Sequence, residues 1–228
     1  MKKSTRKTLN RILHQVFKVV TNKHKRARIT TKVSKLFVDK NNSVEYDEDF
    51  NMYWQLHKGK CLQIHEKPVF DFSYDKYNDR IDAMFCRLYD VKPNDTIVDL
   101  GAGIGGELHF YDERMESQGH VYAIEASPDS YRKLNKLVQK NKLQNVTTYN
   151  IAITATNGSV WIEETDAYKA NQINSKQSGK EVPGLTLDDF VKQQGITRID
   201  LFKVNIESKY YYIIVMGVGV VSTNYFFK

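Results

Sequence analysis

The spacing of apolar and polar residues predicts three different kinds of structure in the first ninety residues. Apolar residues recur at steps of three and four from Leu9 to Val20, which predicts an amphipathic helix. The basic stretch TNKHKRARITTK that follows is expected to be a solvated linker. The segment KCLQIHEKPVFDFS alternates over short stretches and predicts one or two edge strands, and Tyr74 to Tyr89 is predicted to be a helix.

From residue 96 onward, short apolar runs alternate with helical patterns, which is typical of a mostly parallel sheet covered by helices on both faces. The four predicted strands are TIVDL, HVYAIEA, NVTTYNIAI and IDLFKVNIE. We expect GSVWIEE to be an arm of a hairpin, and Asp166 to Gly184 to be a long surface loop over the substrate. Ser127 should cap a helix that begins at Pro128. The predicted fold class is therefore α/β.

The charge distribution divides the chain into parts. Residues 1–40 contain thirteen Lys or Arg residues and one acid, Asp39, a net charge of +12 in a chain of 228 residues whose formal net charge is +7. The rest is therefore acidic. We expect a basic arm at 1–43, a catalytic domain at 44–207 and a hydrophobic tail at 208–228.

The basic arm allows several partners. Its amphipathic helix could lie on an anionic membrane through residues 9–35, dock on a partner protein, or pack on the domain with the linker in solvent. It has few aromatic residues to stack on bases and no base-reading motif, which argues against nucleic acid. The sequence shows neither the continuous apolar run of a signal peptide nor a run that would span a bilayer, so we expect a cytoplasmic protein.

The two cysteines, Cys61 and Cys86, lack CxxC partners and metal-ligand spacing, so we expect buried free thiols and neither a disulfide nor a metal site.

The glycines after the first strand of the alternating region predict a loop that binds a nucleotide-like cofactor. Gly101, Gly103 and Gly106 fit the dinucleotide pattern G-x-G-x-x-G, which is a weak signal alone. A pyrophosphate needs unopposed backbone N–H groups at the helix N-terminus, whereas here Asp99 and Glu107 flank the loop. Two carboxylates suit the ammonium and sulfonium of S-adenosylmethionine better. A nicotinamide or flavin oxidoreductase remains the enzymatic alternative, and a degraded fragment that binds polyanions through its arm is the non-catalytic one.

The motifs DLGAGIG, IEASP, NIAI, TLDDFV and IDLFKVNIE, in this order, resemble those of the FkbM-type methyltransferases, which are Rossmann-like and use S-adenosylmethionine. The resemblance covers roughly Tyr74 to Glu207. It implies methyl transfer to an oxygen of a small molecule or sugar.

The resemblance also implies which residues form the site. The wall around the methionine portion would be Asp99, Gly101, Ala102, Gly103 and Gly105, with Glu107 alongside. Glu125 would accept both ribose hydroxyls, and the adenine would be bordered by Ala126, Ser127, Asn150 and Ile151. Alternatively, Ser127 and Asn150 have only structural roles, Ser127 as a helix cap and Asn150 as a turn residue at the end of a strand.

The last predicted strand carries the candidate catalytic residues. We expect Glu207 to orient or deprotonate the acceptor hydroxyl and Asn205 to hold it. Lys203 is either catalytic or paired with a neighbouring carboxylate. The family has a glycine after the glutamate, where this chain has Ser208.

Beyond Glu207 the resemblance ends, and we expect a truncated or altered C-terminus that leaves one flank of the sheet uncovered. The run YYYIIV has no room for a crossover before it, so we expect it to extend the strand, form an antiparallel hairpin or stay exposed.

Overall fold

The computed structural model describes residues 3–163, 172–174, 178–205 and 220–223. The chain divides into two compact units, Met1–Asp79 and Arg80–Lys228. Within the described residues, the first unit contains one β-sheet and the second contains two. None of the helices in these ranges is long and apolar enough to cross a bilayer.

Two helices open the first unit. Helix α1 spans Lys3–Val19, which confirms the amphipathic helix, and it buries Leu13. Helix α2 spans Lys23–Phe37 and occupies the stretch expected to be a linker, so that expectation was wrong. The Asn22 side chain caps α2 by accepting a hydrogen bond from a backbone N–H of its first turn. The buried face of α2 carries small side chains instead of large apolar ones, namely those of Ala27, Thr30 and Ser34.

A three-stranded antiparallel sheet completes most of this unit, with β1 at Asn42–Asp47, β2 at Met52–His57 and β3 at Lys60–His65. Strand β3 confirms the predicted edge strand, whereas β1 and β2 were not predicted. Helix α2 lies against β1, where the Thr31 hydroxyl accepts a hydrogen bond from the Val44 N–H at 2.8 Å.

The predicted helix at 74–89 is confirmed in kind but is shorter. Helix α3 spans Tyr74–Ile81 and continues as a single π-helical turn, Asp82–Cys86, which buries Phe85 and Cys86.

A five-stranded parallel sheet forms the centre of the second unit, in the order β12-β11-β4-β5-β6. Its strands are β4 at Thr96–Leu100, β5 at His120–Ile124, β6 at Val146–Tyr149, β11 at Leu201–Val204 and β12 at Val220–Thr223. The α/β fold class, Rossmann-like with a mostly parallel sheet, is confirmed. Strand order reverses between β4 and β11, and in such sheets ligands bind outside the carboxyl ends of the strands at this point.

Among the described residues, three further helices accompany the strands of the second unit: α4 at Leu108–Arg114, α5 at Pro128–Asn141 and α6 at Leu187–Gln193. The Ser127 hydroxyl accepts a hydrogen bond from a first-turn N–H of α5, which confirms the predicted cap. Thr186 does the same for α6, and Gly195 beyond its end has a φ of +63°.

The predicted third strand is split between two sheets. The chain leaves the parallel sheet after Tyr149 and enters a second sheet, of order β7-β10-β8-β9. Its strands are β7 at Ala152–Ile153, β8 at Gly158–Glu163, β9 at Gln172–Asn174 and β10 at Lys180–Leu185. Strand β8 is a hairpin arm as predicted. The loop expected at Asp166 to Gly184 instead contains β9 and most of β10, and its remaining residues up to 177 lie outside the described ranges.

The flank next to β11 was expected to be uncovered, and this was wrong. Strand β12 pairs with β11 in parallel, from Leu201 opposite Val220 to Val204 opposite Thr223. Residues 205–219 connect the two strands, a length that a parallel crossover requires. The rest of the tail, including YYYIIV, lies outside the described residues.

The glycine loop is packed tightly at one position and open at another. A Cβ on Gly105, whose φ is +82°, would lie 2.6 Å from Leu134 Cδ1 and 2.9 Å from Leu108 Cδ1. A Cβ on Gly103, whose φ is +58°, would meet nothing within 4 Å. Both positions therefore disfavour a side chain through the backbone, but only Gly105 also disfavours it through packing.

We expect Gly105→Ala to lower the free energy of unfolding by about 2–5 kcal/mol, since backbone strain of about 1–2 kcal/mol adds to overpacking of about 1–3 kcal/mol. The matched change Gly103→Ala should cost only the strain term. Urea denaturation of both variants measures the difference, and equal losses would show that the packing around Gly105 is not as described.

Candidate functional site

The loop between β4 and α4 is held by backbone hydrogen bonds to β5 and within the loop itself. The N–H groups of Gly101 and Ala102 both donate to the Ile124 carbonyl, at 2.9 and 3.0 Å, and the Gly105 N–H donates to the Ala102 carbonyl at 2.9 Å. Positive φ at Gly101, Gly103 and Gly105 allows this path. These three amide N–H groups therefore already donate hydrogen bonds to carbonyls of the protein.

Glu125, which follows β5, is bound to the loop and to the next helix. Its Oε2 accepts the Gly103 N–H and its Oε1 accepts the Ser127 N–H, both at 2.8 Å. Burial raises the pKa of the Glu125 carboxyl, although these two hydrogen bonds oppose the rise. A carboxylate has about four acceptor positions, so about two remain for a ligand.

A fully buried ion pair lies beneath the loop. Lys203 stands directly opposite Asp99 in the β11–β4 register. Its Nζ donates to Asp99 Oδ1 at 2.6 Å and to the Gly101 carbonyl at 3.0 Å, and it lies 5.0 Å from the centre of the Phe85 ring. Of the two roles expected for Lys203, the structure shows the pairing with a carboxylate.

Nearby carboxylates outweigh the effect of burial on the pKa of Lys203. Burial alone would lower the pKa of the ammonium, yet the carboxylates of Asp99 and Glu107 raise it above its usual value. Lys203 therefore carries its charge in the folded protein.

Glu107 adds a further carboxylate at the start of α4. Burial raises the pKa of its carboxyl, and Asp99 raises it further, while Lys203 and, more weakly, Arg80 lower it. Asp99, Glu107 and Glu125 thus surround one buried ammonium. With all three ionised, the carboxylates outnumber Lys203, and the region favours a cation.

Two buried oxygen atoms next to this cluster have no hydrogen-bond partner among the described residues. One is Asp99 Oδ2 and the other is the hydroxyl of Tyr111, and both side chains are fully buried. Burial and the charges of Asp99 and Glu107 raise the pKa of Tyr111 well above its usual value. An unsatisfied buried acceptor beside a glycine loop fits a ligand with a hydrogen-bond donor or positive charge.

Tyr111 was not among the residues predicted for the site. Tyr111 follows Glu107, the N-cap residue of α4, by four residues, and this spacing was the available signal. His109 was also missed. It is buried, and its Nδ1 lies 2.9 Å from the Gly106 carbonyl, which fixes the loop to the helix.

The residues predicted to border the adenine lie around the end of β5. The Asn150 side-chain amide donates to the carbonyls of Glu125 and Ala126, at 2.9 and 3.1 Å. Ile151 is partly buried against the core, and the Ser127 hydroxyl is used as a helix cap. The amide of Asn150 thus holds the backbone in place, and contact of this group with adenine stays a prediction.

The predicted catalytic residues are only partly described. Asn205 follows β11, is exposed, and its N–H donates to the Leu100 carbonyl at 2.9 Å. It therefore lies at the carboxyl edge of the sheet beside the glycine loop. Glu207 lies outside the described residues.

The described residues contain no group of three metal-binding side chains. Cys61 and Cys86 are both buried thiols, and burial raises the pKa of Cys86 to about 12.

One protein-family model matches the part of the chain that contains the site. The model of the Methyltransferase FkbM domain matches residues 99–208 of this chain, beginning at Asp99. Residues 99–208 are thus similar to the FkbM methyltransferase domain. The match covers the glycine loop, Glu125 and the strand with Lys203. No protein of curated function matches the sequence.

Three solved structures resemble parts of the chain. The FkbM methyltransferase from Methylobacillus flagellatus KT has 16% identity and a TM-score of 0.40, over 54% of this chain and 28% of that one. A SAM-dependent O-methyltransferase from Thermotoga maritima has 28% identity and a TM-score of 0.29, over 35% and 29%. M. jannaschii TYW2 in complex with AdoMet has 21% identity and a TM-score of 0.28, over 47% and 42%. This chain thus spans under half the length of each.

The Lys203–Asp99 pair should behave as a coupled unit in stability measurements. We expect Lys203→Met to lower the free energy of unfolding by about 3–5 kcal/mol, because it leaves the Asp99 carboxylate buried without its partner. The double variant Lys203→Met/Asp99→Asn should recover about 1–3 kcal/mol of that loss. Chemical denaturation of the two single variants and the double variant gives the coupling energy, and strict additivity would contradict the pairing.

Proposed function

We propose that this chain is an S-adenosylmethionine-dependent methyltransferase that methylates a hydroxyl group of a small molecule or sugar. The observation that carries the proposal is the carboxylate-rich loop of the FkbM domain, where Asp99, Glu107 and Glu125 outnumber the one buried ammonium. S-adenosylmethionine carries both an ammonium and a sulfonium, so it gains from this charge.

The free acceptors of the site match the donors of that cofactor. Asp99 Oδ2 is buried with no partner among the described residues and would accept from the ammonium of the methionine portion, with Glu107 nearby. Gly103 has open space above its Cα, so backbone can approach the ligand closely there. The remaining acceptor positions of Glu125 would take the two ribose hydroxyls, since each of its oxygens is used once by the protein.

The same geometry disfavours the alternative of a nicotinamide or flavin oxidoreductase. A pyrophosphate would need N–H groups of the glycine loop, but those of Gly101, Ala102, Gly103 and Gly105 donate to protein acceptors. The carboxylate of Glu125 on the Gly103 amide would also repel it.

When bound, the cofactor supplies an electrophilic methyl group on its sulfonium. The chain's own contribution is to orient it and to bring the acceptor to the carboxyl edge of the sheet, where Asn205 lies. Methylation of a hydroxyl also requires removal of one proton. Glu207 remains our candidate for this step on the basis of the family resemblance, with Asn205 holding the acceptor.

Glu125→Gln should weaken binding of S-adenosylhomocysteine by about 1–3 kcal/mol, because charge-assisted hydrogen bonds to the ribose are lost while one acceptor oxygen is kept for the backbone. Titration calorimetry measures the change. Glu181→Gln, which removes the same charge from an exposed position of β10, is the matched control and should bind as the parent protein does. Equal affinities of all three proteins would refute the ribose assignment.

The binding of S-adenosylmethionine should depend on pH more steeply than that of S-adenosylhomocysteine, which lacks the sulfonium charge. Since the pKa values of Glu107 and Glu125 lie above the ordinary glutamate value, these carboxyls take up protons earlier as the pH falls. We expect the affinity for S-adenosylmethionine to drop about tenfold between about pH 7 and pH 5, and that for S-adenosylhomocysteine distinctly less. Parallel pH profiles of the two ligands would argue against charge selection.

A further inference from the structure

Helix α2 has two opposite faces of different character. The face with Ala27, Thr30 and Ser34 is buried, and Ala27 packs in a cluster with Val44 of β1 and Tyr53 of β2. The opposite face carries basic residues at steps of three and four, all exposed: Lys25, Arg28, Lys32 and Lys35. This spacing places the four side chains in one stripe along the helix. We call this stripe the basic face of α2.

Among the residues that the structure describes, no acidic side chain forms an ion pair with the basic face. Asp39 is the only acid among residues 1–40, and the Asp39 carboxylate accepts the Asn41 N–H and lies 3.8 Å from His57 Nδ1. Ion pairs of the described part of this unit join Arg6 to Asp71, His24 to Glu48, and His57 to Asp39, and none of them includes a cation of the basic face. The four cations of the basic face thus remain available to an anionic partner.

Large apolar side chains are exposed at the C-terminal end of the same helix. Leu36 is 76% exposed and Phe37 is 43% exposed. Leu36 follows Lys25 by eleven residues, about three helical turns, so it lies in the same stripe as the cations. A row of cations with an exposed leucine at one end is complementary to a surface that has negative charges outside and an apolar layer beneath them.

We propose that the basic face of α2 binds an anionic lipid surface. The four cations would lie among the headgroup phosphates and carboxylates, and Leu36 would enter the boundary with the acyl chains. A nucleic acid offers the same negative charge but no apolar layer for Leu36, and the face carries no series of aromatic side chains for base stacking. This interaction is separate from the methyltransferase site and does not depend on the proposed cofactor.

Co-sedimentation of the full chain with lipid vesicles tests the proposal. We expect binding to vesicles of phosphatidylcholine containing about 30% phosphatidylserine, and much weaker binding to phosphatidylcholine alone. Replacement of all four cations, Lys25→Gln, Arg28→Gln, Lys32→Gln and Lys35→Gln, should lower the partition coefficient at least about 100-fold, at about fivefold per charge. Glutamine keeps the helix propensity of lysine and arginine, so α2 should stay folded, as circular dichroism would verify.

A second variant of equal net charge separates the basic face from overall charge. Gln at the exposed lysines Lys58, Lys76, Lys92 and Lys192, which lie outside α1 and α2, should lower the partition coefficient less than about fivefold. Leu36→Ser should lower it by about fivefold and leave the response to salt unchanged. The proposal is overturned if both four-residue variants lose binding equally, or if phosphatidylserine makes no difference. It is also overturned if duplex RNA binds more tightly than vesicles while Leu36→Ser has no effect.

Discussion

The contact between the ammonium of Lys203 and the carboxylate of Asp99 makes the rest of the site possible. Both side chains are fully buried, and the ammonium also binds the Gly101 carbonyl, so one cation joins β11, β4 and the glycine loop. Without this charge, Asp99, Glu107 and Glu125 could not be placed around one loop at an acceptable electrostatic cost. Because one ammonium does not balance three carboxylates, the region stays favourable to a cationic ligand.

The parallel sheet and the cofactor loop could be predicted from the sequence because their signals are local. Apolar runs ending in Asp99 and Glu125, a glycine loop with positive φ, and the Ser127 cap each determine the backbone within a few residues. The charges that flank the loop could be read in the same way. The Lys203–Asp99 contact was only one of two readings, since pairing between strands over a hundred residues apart depends on register.

The elements that were missed depend on tertiary packing. Helix α2 buries small side chains such as Ala27 and Ser34, so it lacks the apolar stripe that marks a helix and resembles a solvated basic segment. The break after Tyr149, where the chain changes sheets, interrupts no apolar pattern. Strand β12 pairs with β11 across residues 205–219, and no local signal shows such a partner. Tyr111 was missed as a site residue because spacing alone does not show an unsatisfied hydroxyl.

We propose that the carboxylates around the glycine loop favour a cationic cofactor over an anionic one. A calorimetric titration of the full chain with S-adenosylmethionine and, separately, with NAD at the same pH and salt concentration tests it most directly. We predict measurable binding of S-adenosylmethionine and at least about 100-fold weaker binding of the dinucleotide, since the pyrophosphate meets repulsion where the sulfonium and ammonium meet attraction. Equal or tighter binding of NAD would show that these carboxylates do not select the charge of the cofactor.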